Sequence, residues 1–220
     1  MKKLIKGIID FREKSLTAYR EKFSMLAYSQ SPDVLFIGCC DSRVVPNVFA
    51  STDPGDLFVM RNIGNLVPPF EMTARHSSAT PVAAAIEFSL LTLNVNHIVV
   101  CGHSDCGAMR FFTHPANSQS AQTNLAEWLT HAVPSFERFK ACCHANMAEP
   151  HNVLSKINVL QQLDHLKTYP IIQERLNKQT LQLHGWWFEL AKADVYQYEA
   201  DKNDFILIDA AYAEKMLKTL

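Results

Sequence analysis

Residues 34–43 read VLFIGCCDSR. The first five form a short unbroken apolar run, the pattern of a strand buried on both faces. The next five are chemically loaded: two cysteines, an acid, a serine and an arginine without a gap. In an extended chain alternate residues point the same way. Cys39, Asp41 and Arg43 therefore share one side as the chain leaves its strand, while Cys40, Ser42 and Val44 share the other. If Asp41 and Arg43 act together, the thiol beside them is Cys39. Cys40 is then expected to point away into packing, as a small hydrophobe.

Outward from this strand the chain alternates between apolar runs and helical patterns. Residues 2–28 place Leu4, Ile5, Ile8, Ile9, Phe11 and Leu16 at roughly helical spacing among charges. SQSPD (29–33) is a turn, and DLFVMRN (56–62) reads as a second strand. Thr80-Pro81 opens a helix, with Thr80 as cap and proline in the first turn. HIVVCG (97–102) is a third strand. CGAMRFF, NLAEWLTHAV and NVLSKINVLQQLDHL read as helices, with HPANSQS (114–120) a polar loop between the first two. Pro170 breaks the pattern before IIQERLN. LQLHGWWFEL (181–190) is a fourth strand, VYQYE folds back on it, and the short run FILID precedes a last helix. Strands alternating with helices imply an α/β fold with a mostly parallel central sheet flanked by helices. The expected organisation is one domain over 1–220, with a helical arm at 1–30 and a C-terminal tail at 200–220.

Sites in parallel α/β sheets form outside the carboxyl ends of the strands. The third strand ends in GHSDCGAM, Gly102 to Met109. His103 and Cys106, two residues apart, converge from a turn entering a helix, and Gly102 and Gly107 allow a tight turn and close backbone approach. Cys39, His103 and Cys106 thus meet from two strand ends. Two thiolates and an imidazole suit Zn²⁺, and three protein ligands leave a fourth position open, as in catalytic rather than structural zinc sites.

The remaining composition narrows the function classes. With 220 residues and a formal net charge of -1, nothing suggests a general affinity for nucleic acid or an acidic membrane surface. Lys6, Asp10 and Arg12 interrupt any signal-peptide core in MKKLIKGIIDFREK, and no stretch is long and apolar enough to span a bilayer. A cytoplasmic protein without membrane or nucleic-acid partners is expected. Among its six cysteines, those near His and Asp are there expected to bind metal or catalyse rather than cross-link. Cys101 reads as packing. His97, His114, His131, His144, His151, His165 and His184 lack partner spacing. Cys142-Cys143-His144 reads as a helix end, and Trp186-Trp187 as core or subunit interface.

Taken together, CCDSRV, GHSDCGAM and the connecting segment PGDLFVMRNIGNLVPP (54–69) resemble the β-class carbonic anhydrases, in particular the plant and cyanobacterial type. The resemblance covers most of the chain. It implies one Zn²⁺ per chain on Cys39, His103 and Cys106, an Asp41–Arg43 dyad, and reversible hydration of CO₂ to bicarbonate and a proton by zinc-bound hydroxide. With two thiolates on the metal, activity is expected to rise toward alkaline pH. The resemblance also implies a homodimer or a higher oligomer such as a tetramer, in which Gln30 reaches the partner's site. Phe58, Ile63 and Phe88 would wall the CO₂ pocket, and the backbone N–H of Gly107 is a further candidate donor to bicarbonate. Phe36 stands where another bacterial subgroup has the tryptophan of an allosteric bicarbonate pocket, which argues against that inhibition although Arg61 is present. Cys40 replaces a usual serine. Two other readings compete: a CS₂ or COS hydrolase on the same scaffold, and a non-catalytic zinc or redox sensor using Cys39 and Cys40.

Overall fold

The computed structural model describes residues 1–70, 80–114, 123–142 and 148–218. Its centre is a six-stranded sheet of β1 (Val34–Cys39), β2 (Leu57–Asn62), β3 (His97–His103), β4 (Gln182–Glu189), β5 (Asp194–Glu199) and β6 (Asp204–Leu207), in the order β2-β1-β3-β4-β5-β6. The first four are mutually parallel, and β5 and β6 add antiparallel at one edge. The mostly parallel sheet flanked by helices is the expected one. β1 is sandwiched between β2 and β3 and buried along nearly its whole length, as its apolar run requires.

The helices are α1 (Lys2–Asp10), α2 (Leu16–Leu26), α3 (Pro46–Phe49), α4 (Thr80–Leu91), α5 (Gly107–Thr113), α6 (Thr123–Leu129), α7 (Val133–Cys142), α8 (Pro150–Leu166), α9 (Pro170–Asn177) and α10 (Ala210–Leu217). A π-helical turn, Phe11–Ser15, joins α1 to α2, so the N-terminal arm is one helical run with a bulge. Leu4, Ile5, Ile8 and Ile9 of α1 are all exposed. The body of α7 carries no clear periodic pattern; it packs Phe136 and Phe139 beside Leu129 and Ala132. Cys142 closes α7, whereas Cys143, His144 and the polar loop from 115 onward lie outside the described residues, as does the expected Thr80 cap contact.

One sheet face carries the main core. Leu35, Ile37, Ile98, Val100 and Trp187 pack there against Ile86 and Leu90 of α4, Val159 and Leu166 of α8, and Ile172 of α9. On the other face Phe36, Val99, Cys101 and Phe188 cluster with Phe49 of α3, so Cys101 is packing as expected. Trp186 stands with this second cluster and Trp187 with the main core.

His97 and His184, which lack any spacing signal, meet across β3 and β4 with Nδ1 and Nε2 3.1 Å apart. Burial, then the neighbouring His97, push His184 down to about 4. An unfolded histidine titrates near ~6.5, so in acid the unfolded chain takes up a proton that the folded chain refuses. Stability is therefore expected to fall by on the order of 2 kcal/mol as pH drops from about 6.5 toward 4. Urea unfolding at several pH values checks this: His184→Gln is expected to flatten the acid slope, and equal slopes in both proteins would contradict the assignment.

Candidate metal centre

β1 and β3 run side by side and in the same direction, with Gly38 opposite Cys101. Their carboxyl ends emerge together, and so do the loops beyond them. Cys39 is the last residue of β1 and His103 the last of β3. Cys106 is the N-cap of α5, in extended conformation just before the first helical turn. The three ligand atoms all lie within 4.8 Å of one another. The residues are 5 % (Cys39), 0 % (His103) and 1 % (Cys106) exposed.

The tautomer of His103 is set by its partner. Nδ1 lies 2.8 Å from the carbonyl oxygen of Ser104. A carbonyl only accepts, so Nδ1 carries the proton and Nε2 the lone pair. That Nε2 is buried and has no hydrogen-bond partner. A buried unsatisfied acceptor is costly. Here it faces two thiols, the donor set that a soft, tetrahedral cation takes.

The thiols show the same incompleteness. A hydrogen bond from Cys106 pushes the Cys39 thiol down, assisted by the backbone amides of Gly64 and Asp41, against the opposing effect of burial. Cys106 is pushed up, first by that hydrogen bond and then by burial, against the pull of the Ala108 and Met109 amides of α5. The two buried sulfurs thus resist being charged together. A dication between them would let both be thiolates. The residues fit zinc.

The dyad is formed. The Arg43 guanidinium donates to Asp41 through Nε to Oδ1 at 2.9 Å and through Nη2 to Oδ2 at 2.7 Å, and the Arg43 backbone N–H adds a third bond to Oδ1 at 3.0 Å. These bonds hold the Asp41 carboxyl well below the usual range and raise Arg43 further. The pair forms in a turn rather than in extended chain: the Val44 N–H donates to the Asp41 carbonyl at 3.0 Å.

Several positioning residues carry no sequence signal. Arg61 donates to the Cys39 carbonyl at 2.8 Å and to the Asp41 carbonyl at 2.6 Å, tying the first ligand loop to β2. The segment after β2 is pinned from α8: Asn158 donates to the Gly64 carbonyl at 3.0 Å, and Gln162 accepts from the Val67 N–H at 2.8 Å. Ser155, one turn earlier, donates to the His103 carbonyl at 2.8 Å. All three are buried. Positions 155, 158 and 162 recur at helical spacing, but only the tertiary structure shows that their polar groups meet a loop rather than water.

Two expectations are corrected. Cys40 is exposed rather than packed. Its N–H continues the ladder to the Asn62 carbonyl, but its side chain borders a cleft of about 370 Å³ with Ile63, Pro81 and Trp128. Gly107 does not make the turn, since the left-handed residue there is Asp105, with φ 58°, and a Cβ on Gly107 would meet nothing within 4 Å. Gly102 is different: a Cβ there would lie 2.7 Å from Val159 Cγ2 and 3.1 Å from Ser155 Oγ. It is the close approach of α8 to β3 that requires glycine.

Of the expected substrate residues, Phe58 and Phe88 lie together with ring centroids 5.7 Å apart. Ile63 and Phe88 are 44 % and 42 % exposed, so this apolar face is open within one chain. Gln30 is exposed and borders a separate cleft with Phe23, Leu26, Pro54 and Gly55.

The family pattern described as carbonic anhydrase matches residues 34–195, which includes every residue of this centre. The chain belongs to the β-class carbonic anhydrases. It is 37% identical over 213 residues to a carbonic anhydrase of Synechococcus elongatus, covering 95% of this chain and 75% of the relative. A carbonic anhydrase of Pseudomonas aeruginosa is 35% identical over 206 residues, covering 94% of this chain and 91% of that one. Among solved structures, the β-carbonic anhydrase CcaA superimposes with TM-score 0.87 at 36% identity, covering 96% of this chain and 92% of that one. Two tetrameric β-carbonic anhydrases from Sordaria macrospora give a TM-score of 0.73 at 27% identity, covering 89% of this chain and 95% of that one. The chain is an enzyme of this family, whose reaction is CO₂ hydration. No helix among the described residues is long and apolar enough to cross a membrane.

The α8 contact offers a test. Gly102→Ala forces β3 away from Val159 and Ser155 immediately before His103. It is expected to lower stability by roughly 1–3 kcal/mol in urea unfolding and to weaken zinc retention against a chelator. An unchanged midpoint would show that the approach is not tight.

Proposed function

We propose that this carbonic anhydrase holds one Zn²⁺ on Cys39, His103 and Cys106 and uses it to interconvert CO₂ and bicarbonate. The observation that carries the reading is the buried, unpartnered Nε2 of His103 within 4.8 Å of the sulfurs of Cys39 and Cys106. When bound, zinc supplies Lewis acidity, which makes hydroxide available near neutral pH.

The chain's own groups do the rest. Asp41, held ionised by Arg43, accepts the O–H of the attacking oxygen and so aims a lone pair at CO₂. Arg43 also keeps the Asp41 carboxylate turned toward itself, which stops it from completing the metal's ligand set. Phe58, Ile63 and Phe88 offer CO₂ an apolar wall. The N–H of Gly107, in the first turn of α5 and so without an intrahelical acceptor, is a donor for a bicarbonate oxygen.

The open apolar face and the position of Gln30 favour a homodimer or a larger assembly such as a tetramer. In it a second copy covers Ile63 and Phe88, and Gln30 of one copy serves the other's site. A cytoplasmic location suits a centre that needs reduced thiols.

Stopped-flow CO₂ hydration, with zinc content measured on the same sample, tests the reading. Rapid turnover with about one zinc per chain is expected. Arg43→Ala is expected to keep the zinc and lose activity on the order of a hundredfold. Stoichiometric zinc without CO₂ turnover in the unaltered protein would contradict the reading.

A further inference from the structure

Arg43 is gripped from two sides. Besides Asp41, it reaches Asp105: Nη1 donates to Oδ2 at 3.1 Å, and Nη2 donates to the Asp105 backbone carbonyl at 3.2 Å. Asp105 stands between two metal-binding residues in the chain, His103 and Cys106. The guanidinium therefore joins the loop after β1 to the loop after β3, the two segments that follow Cys39 and His103.

Asp105 is itself fixed. Its other carboxylate oxygen accepts Nε of Arg110, from α5, at 2.5 Å. Its backbone N–H donates to Oδ1 of Asn152, near the start of α8, at 2.7 Å. His151, buried beside it, places Nε2 3.8 Å from the same carboxylate oxygen. The Asp105 backbone sits in the left-handed region, which an aspartate tolerates better than most residues. The guanidinium is planar and carries its donors in a fixed fork. One carboxylate on one edge leaves that plane free to swing with its partner. Since the Arg43 side chain is nearly half exposed, such a pair alone would hold its geometry weakly. A second carboxylate from another loop fixes the plane.

We propose that Asp105 is a positioning residue for CO₂ hydration. It holds the Arg43 guanidinium, and through it the Asp41 carboxylate, in register with the three metal-binding side chains. This inference rests on the proposed zinc-dependent carbonic anhydrase activity. Asp105 touches neither substrate nor metal in this role and acts through Arg43.

A double-mutant cycle separates this from a merely structural role. The four proteins are the parent, Asp105→Asn, Arg43→Ala and the double variant. Asp105→Asn is expected to lower kcat roughly tenfold with KM little changed and zinc still stoichiometric. In the Arg43→Ala background the same change is expected to cost nothing further. Parent-like kcat in Asp105→Asn would overturn the proposal, and so would an equal loss in both backgrounds. If Asp105→Asn does not fold, Arg110→Gln loosens the same carboxylate from its other side and is expected to show the same dependence on Arg43. A parent protein without turnover would sink the carbonic anhydrase reading instead. Urea unfolding of the four proteins then decides the clamp without turnover: non-additive midpoints support it, and additive midpoints overturn it.

Discussion

The side-by-side, same-direction ending of β1 and β3 is the constraint on which the rest depends. In parallel strands both carboxyl ends lie on one edge of the sheet. Cys39 therefore leaves β1 where His103 leaves β3, and α5 begins close enough for its N-cap residue, Cys106, to join them. An antiparallel pairing would put the two loaded loops at opposite edges. Everything else at the centre refines this meeting. Arg61 ties the first loop to β2, Ser155 ties the end of β3 to α8, and Arg43 bridges the two loops.

The energetics favour a site that is complete only when a cation occupies it. A buried imidazole nitrogen without a partner, beside two buried thiols that resist being charged together, is a cost to the fold. Such local conflicts are expected where function, rather than folding, chooses the residues. Two buried polar side chains of α8 are the opposite case. Asn158 and Gln162 are satisfied, against each other and against the loop after β2. They hold that loop at the rim of the centre.

The Cys39–His103–Cys106 group and the Asp41–Arg43 pair are legible in the sequence because their information is local. A short apolar run ending in chemically loaded residues announces a strand end, and alternation announces which side chains share a face. That reasoning pairs Asp41 with Arg43, and the structure joins them, though through a turn rather than an extended strand end. It fails for Cys40, because alternation gives a direction without saying what covers that direction. It gives no hint of Asp105, Arg110 or the His97–His184 pair, whose partners are set by strand register and loop geometry over long stretches of chain. The body of α7 between Val133 and Cys142 escapes notice because Phe136 and Phe139 alone make too short a periodic pattern. The exposure of Phe88 and Ile63, and of Gln30, concerns a surface that a single chain leaves open.

The most direct test of the central claim is zinc K-edge X-ray absorption on the protein as purified. The account predicts two sulfur ligands at about 2.3 Å and one imidazole nitrogen at about 2.0–2.1 Å, with one further light ligand. A site with four sulfurs, or with none, would contradict it.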